Sequence, residues 1–158
     1  MEISLRPFTL QDLPQYERWR EEIHASQYMT RFYPHTFNGE GSAFSDLYRW
    51  YIILFNGEQV GTVWLEKEHL NDEVATLGIL IGVRDHLGKG IGGRVIPLAI
   101  ESAREDLGFK AVRLRVRKQN QRAITCYEHC GFNTYAEGRK VTEQGTEIQF
   151  LEMYLYMQ

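Results

Sequence analysis

Four glycines fall within six residues, at Gly88, Gly90, Gly92 and Gly93, between a strand-like run and a helical pattern. Before them, Leu77, Ile79, Leu80, Ile81 and Val83 are interrupted only by Gly78 and Gly82. A run of this kind reads as a strand covered on both faces. After them, Ile91, Val95, Leu98, Ala99, Ala103 and Leu107 recur at helical spacing. A buried strand, a glycine turn and a helix start together form a cradle for phosphate. Glycine lets the backbone come close to a ligand. The first helical N–H groups lack internal partners, and the helix dipole adds positive charge there. Lys89 places a cation in the turn. The plainer reading is a tight βα turn with no ligand; four glycines and a lysine together favour the phosphate.

Two nucleotide sites compete for the turn. Gly88-Lys89-Gly90-Ile91-Gly92-Gly93 spells the G-x-G-x-x-G dinucleotide fingerprint. That fingerprint belongs after the first strand of a doubly wound domain, whereas several strand-like segments precede it here. It also calls for an acidic residue at the end of the following strand. The strand expected at 111–116 is followed by Arg117 and Lys118, bases that an NADP site could use. A nucleoside-triphosphate loop fits less well. The spacing from Gly82 to Gly88 is one residue too long for it, and Gly90 stands where Ser or Thr would bind magnesium.

Residues 87–92, Leu-Gly-Lys-Gly-Ile-Gly, resemble the Q/R-x-x-G-x-G/A motif of the GNAT N-acetyltransferase superfamily, with Leu87 in place of Gln or Arg. Downstream, Asn120, Ala123, Tyr127, Gly131 and Phe132 are similar to a second pattern of that family. The resemblance implies an acetyl-CoA-dependent N-acetyltransferase with acetyl-CoA as cosubstrate and a small-molecule or peptide primary amine as acceptor. It implies that amides of Gly88, Lys89, Gly90, Ile91, Gly92 and Gly93 anchor the pyrophosphate. The backbone of Leu80, Ile81 and Gly82 would align the pantetheine arm, and Asn120 would contact the coenzyme. Tyr127 stands at the general-acid position; otherwise it is a tyrosine packed on the sheet. Where some members carry a glutamate base this chain has Thr76 and Arg115, so Glu66, Glu68, Glu73, Glu147 and Glu152 remain open as bases. Two alternatives stand beside this reading: an NADP-dependent oxidoreductase, and a non-catalytic CoA-binding or regulatory domain.

The remaining chain predicts one domain over 1–158. A strand at 3–6 precedes a helix that Thr9 caps and that buries Leu13, Tyr16, Trp19 and Ile23. The aromatic segment 25–38 reads equally as core packing or as the wall of an acceptor pocket. A short helix is expected at 40–49, then a hairpin with strands at 50–55 and 60–66. Pro97 should cost the next helix the bond to the Gly93 carbonyl and kink or locally widen it. Gly108 should end that helix, Asn120 should cap another running to Cys130, and a hairpin of 133–141 and 146–156 should close the chain. Arg113, Arg115 and Arg117 alternate on one side of their strand, as on a solvated or ion-paired face. The fold class is α+β. It comprises a GNAT-like, mostly antiparallel mixed sheet of about 6–7 strands, flanked by about 4 helices, with a parallel βαβ crossover at the coenzyme site.

A net charge of −3 gives no general attraction for nucleic acid or an anionic membrane. Charges and glycines interrupt every apolar run, so no membrane span is expected. The N-terminus lacks a signal-peptide layout. Cys126 and Cys130 read as reduced helix-packing residues, with no metal site, and the location predicted is cytoplasmic. The last strand either finishes the core or pairs across a homodimer.

Overall fold

The computed structural model describes residues 2–27, 29, 31–37, 45–83 and 90–157. Gly88 and Lys89 of the expected phosphate turn, with the 84–87 link before them, lie outside the described residues. Seven strands form one mixed sheet: β1 (Ile3–Pro7), β2 (Tyr48–Phe55), β3 (Glu58–Glu66), β4 (Val74–Ile81), β5 (Ala111–Arg117), β6 (Asn133–Val141) and β7 (Glu147–Tyr156). Their order is β1-β2-β3-β4-β5-β7-β6. All neighbours are antiparallel except β4 and β5. The helices are α1 (Leu13–Glu22), α2 (Ile91–Leu107) and α3 (Gln121–His129), with 3-10 turns at Leu10–Asp12 and Ala25–Gln27.

The described residues therefore carry three α-helices, one fewer than expected. The missing helix is the one placed at 40–49. Tyr48 and Arg49 instead open β2, because Tyr48, Trp50 and Ile52 alternate into an apolar layer; the part at 40–44 lies outside the described residues. The first hairpin turns on two residues, Asn56 and Gly57, both at positive φ (50° and 82°). These are the conformations that a tight hairpin of twisted strands requires.

Each face of the sheet buries its own layer. On one face, α2 and α3 lay Ile91, Val95, Ile96, Ala99, Ala103 and Ile124 over Val63, Leu65, Leu77, Val112 and Leu114. On the other, α1 and the aromatic segment cover Trp50, Ile52, Trp64 and Leu80 with Phe8, Tyr16, Trp19 and Phe37. Two glycines of β4 make room for this second layer. A Cβ on Gly78 would lie 2.2 Å from Trp64 Cζ2, and one on Gly82 would lie 2.1 Å from Trp19 Cγ. The gaps in the apolar run of β4 are thus sockets for tryptophan.

The helix ends follow local chemistry. Gly108 closes α2 at φ 75° and donates its N–H to Arg104 O at 2.9 Å. Asn120 Oδ1 accepts the Ala123 N–H at 3.3 Å at the start of α3. Thr9 forms a capping box with Asp12 at the start of the 3-10 turn that leads into α1. Its N–H (2.8 Å) and hydroxyl (3.1 Å) both donate to the Asp12 carboxylate. Pro97 sits on the exposed side of α2, which runs unbroken through it. The Gly93 carbonyl that it would leave bare accepts the Cys130 thiol at 3.8 Å. β7 lies between β5 and β6 and uses both its edges within the sheet, so it finishes the core.

Candidate active site

The parallel pair that carries the site is short. β4 and β5 pair only at Val74↔Ala111, Ala75↔Val112 and Thr76↔Arg113. Past Thr76, β4 keeps its ladder with β3 through Ile81, and β5 keeps its ladder with β7 through Arg117. The sheet is therefore split between Leu77–Ile81 on one side and Leu114–Arg117 on the other, and each wall is held by its outer neighbour.

Ladder parity decides which backbone groups line the split. The Gly82 N–H donates to Val60 O at 2.7 Å, so this residue faces β3. Antiparallel pairs alternate between bonded and non-bonded, and Leu80, opposite Thr62, shares the parity of Gly82. Ile79 and Ile81 have the other parity, and their N–H and C=O groups face the split. Glu73 agrees with this, since its carbonyl accepts from Lys110 N (2.7 Å) and Ala111 N (3.0 Å) on the β5 side. Among the residues expected to align a ligand here, Ile81 presents its amide to the split, and the Gly82 amide is committed to β3. The sequence reading missed Ile79, because parity is unreadable before the register of β3 on β4 is known.

α2 begins at the open end of the split. Its N-cap is Gly90 in the left-handed region (φ 78°), and no side chain caps the helix. Ile91 is buried and pins the first turn to the core. A Cβ on Gly90 or Gly93 would meet nothing within 4 Å. Among the described residues, the amides of Gly90, Ile91, Gly92 and Gly93 thus stand at an uncapped helix start with no side chain over Gly90 or Gly93. An anionic group such as a pyrophosphate fits this surface.

Tyr127 projects from α3 on the same face as the side chains of Ile79 and Ile81. It is half-buried and meets Phe132 edge-on, with centroids 6.0 Å apart. Its hydroxyl makes no hydrogen bond with the described residues. Burial pushes its pKa above that of an ordinary phenol, and the neighbouring Cys126 and Cys130 push it further in the same direction. The phenol is a proton donor at neutral pH. Both cysteines are free. Asn120 lies at the N-terminus of the same helix as Tyr127, with its side chain engaged as a cap.

The candidate bases all have partners. Glu66, 3% exposed, accepts from His35 N (2.5 Å), Thr36 N (2.9 Å) and Thr36 Oγ1 (3.0 Å), and Arg31 lies at 3.9 Å. It anchors the aromatic segment to the sheet. A charged residue at an inward position of β3, two after Trp64, is the signal that could have revealed this. Glu68 pairs with Arg113 at 2.8 Å, Glu73 with Lys110 at 3.3 Å, Glu147 with Arg139 at 3.6 Å and Glu152 with Arg115 at 3.6 Å. The arginine row of β5 is largely ion-paired, as its alternation suggests. Of the aromatic segment, Met29, Phe32, Tyr33 and Phe37 pack against the second apolar layer; Tyr28 lies outside the described residues.

Comparison with known proteins places this architecture. The Acetyltransferase (GNAT) domain family matches residues 2–133, and the chain belongs to that family. An aminoglycoside N(6')-acetyltransferase type 1 of Klebsiella pneumoniae is 26% identical over 113 residues, covering 65% of this chain and 55% of the relative. The Serratia marcescens protein of the same name matches to the same extent. The match thus spans about half the length of these curated relatives. Among solved structures, a GNAT-family acetyltransferase from Streptococcus pneumoniae superposes with a TM-score of 0.77 at 18% identity, over 99% of this chain and 100% of that one. Spermidine N-acetyltransferase from Vibrio cholerae, in complex with CoA and spermine, gives 0.73 at 21% identity over 98% and 95% of the two chains. These structural likenesses establish the GNAT fold. Among the described residues, no helix is long and apolar enough to cross a membrane, and no cluster of metal-ligating side chains occurs.

Proposed function

We propose that the chain is an acetyl-CoA-dependent N-acetyltransferase acting on a primary amine. The observation that carries this is the split between β4 and β5, with the bare start of α2 at its open end. Family membership and the N-acetyltransferase relatives support it. Acetyl-CoA bound there supplies a thioester whose carbonyl carbon exchanges its sulfur for the amine nitrogen.

The residues of this chain divide the work. The amides of Gly90, Ile91, Gly92 and Gly93 hold the pyrophosphate; Gly88 and Lys89, which the motif adds to this set, lie outside the described residues. Ile81 and Ile79 offer backbone donors and acceptors along the split for the pantetheine arm, with Leu80 and Gly82 fixing the wall against β3. A donor from this strand also meets the charge that grows on the carbonyl oxygen. Tyr127 gives its phenolic proton to the departing sulfur. Asn120 holds the start of α3 and thereby positions Tyr127. With the nearby glutamates committed to partners, the acceptor attacks as the neutral amine; the proton its nitrogen sheds as the amide forms passes to water, which returns one to the Tyr127 phenolate. The chain acts as one domain on small or peptide amines.

Calorimetric titration tests the reading, with acetyl-CoA and NADPH run in parallel. Binding of acetyl-CoA alone, followed by release of free CoA thiol when amines are added, is the expected result. Binding of NADPH alone would mean that the literal dinucleotide fingerprint is the functional one. Tight acetyl-CoA binding without turnover on any amine would leave a coenzyme-binding module.

A further inference from the structure

The aromatic segment and the scattered glutamates of the sequence suit a polycationic amine. The charges facing the split suggest a different acceptor. On the sheet face opposite α2 and α3, the split is bounded by Thr76 and Gly78 of β4 and by Arg113 and Arg115 of β5. The apolar layer on that face ends at Leu80. Beyond it the face is polar, with Arg113, Arg115, Arg117, Glu152 and Tyr154 on neighbouring strands.

The acids on this face are already neutralised. Glu66 is buried under three donors, and Glu68 is held by Arg113, which also donates to Thr76 Oγ1 at 3.1 Å. Glu152 lies opposite Arg115 in the β5–β7 register and pairs with its Nε at 3.6 Å, longer than a hydrogen bond. Arg117 donates to Met29 O at 3.5 Å. The Arg115 side chain is 67% exposed, and its guanidinium carbon lies over Phe150, 4.7 Å from the ring centroid. Phe150 thus backs the guanidinium on one side, and the long ion pair with Glu152 leaves it open to a further anionic partner. An exposed guanidinium over an aromatic ring suits a carboxylate, which accepts two parallel N–H bonds from its planar fork. A polycation brought to the same place would meet arginines, and the acids described on this face already have partners.

We propose that the acceptor of this enzyme is a small amine that also carries a carboxylate, and that Arg115 is the residue that selects it. The proposal rests on the N-acetyltransferase reading above. It assigns Arg115 to the acceptor side, apart from the coenzyme-binding backbone.

The test compares initial rates of CoA-thiol release for three amines: an amino acid or dipeptide with a free carboxylate, the same compound as its carboxamide, and spermidine. The carboxylate form should exceed its carboxamide in kcat/KM by about 10- to 100-fold, the range of one charge-assisted bidentate contact. In Arg115→Gln this ratio should collapse towards one. Arg115→Lys should restore part of it, since the charge returns without the fork. Glu152→Gln should raise the ratio by removing the competing acid. Spermidine or the carboxamide acetylated as well as the carboxylate, or a ratio unmoved in Arg115→Gln, would overturn the proposal while leaving the acetyltransferase reading intact. No transfer to any amine, with acetyl-CoA bound, would remove both together.

Discussion

At the scale of single residues, burial has turned ordinary side chains to specific tasks. Tyr127 is a phenol whose pKa burial holds above the usual value, so it stays protonated through neutral and mildly alkaline pH. Tyr127→Phe should therefore lower kcat by about 100-fold or more, the usual worth of a positioned acid, with little change in acetyl-CoA affinity. Steady-state kinetics paired with calorimetry reads both effects; equal turnover would remove Tyr127 from the chemistry. Asp12 serves the fold. Burial pushes its pKa up, but hydrogen bonds from Arg6 (2.8 and 2.9 Å) and Thr9 outweigh this and leave it below the usual carboxylate range. A depressed folded pKa gives stability that is complete above the unfolded value of about 4 and is lost as pH falls through the folded value. Asp12→Asn should flatten the acid side of the stability profile. Urea unfolding at pH 6 and pH 3 would detect this as a smaller difference than in the wild type.

Among the elements, β4 is the most constrained. Its far edge must stay open past Thr76 while its near edge holds fast to β3. Gly61 of β3 serves that second need. A Cβ there would lie 2.1 Å from the Leu80 carbonyl oxygen, a backbone atom that cannot rotate away. Gly61→Ala should push β3 from β4 at the level of the coenzyme arm. It is expected to cost about 3 kcal/mol, towards the upper end of what overpacking does. Thermal denaturation measures the loss, and a melting temperature equal to wild type would refute the close approach. α2 shows the same division between fold and site. Its buried face pins Ile91 and Val95 into the core, while its first turn is left uncapped.

For the whole molecule, binding and stability are linked. A ligand that bridges the split and the start of α2 ties together elements that the unfolded chain cannot hold. Acetyl-CoA at about 100 times its dissociation constant should add about 2.7 kcal/mol of stability, raising the melting temperature by roughly 5–10 °C for a chain of this size. NADPH at the same concentration should leave it unchanged. A thermal shift series separates these outcomes, and a shift with NADPH alone would reverse the assignment of the glycine turn.

The order of strands and helices was legible because it rests on local chemistry. Strand-rich segments about a tight turn marked β2 and β3, a continuous apolar run marked β4, alternation marked β5, Gly108 and Asn120 ended and began helices, and the glycine turn marked the start of α2. Family membership was legible from the motifs on either side of β5. The helix expected at 40–49 was misread because short-range periodicity cannot weigh a strand partner that only the sheet supplies. Register, parity and pairing belong to the tertiary structure. Nothing in the residues of β4 says that Gly82 turns its N–H to Val60 while Ile79 and Ile81 turn theirs to the split. Nor do the glutamates say which arginine neutralises each of them. Those facts depend on which strands lie side by side, and the sheet places residues from distant parts of the chain opposite one another. The sequence by itself determined the elements and the family; the packing of the sheet decided which backbone groups and which charges face the split.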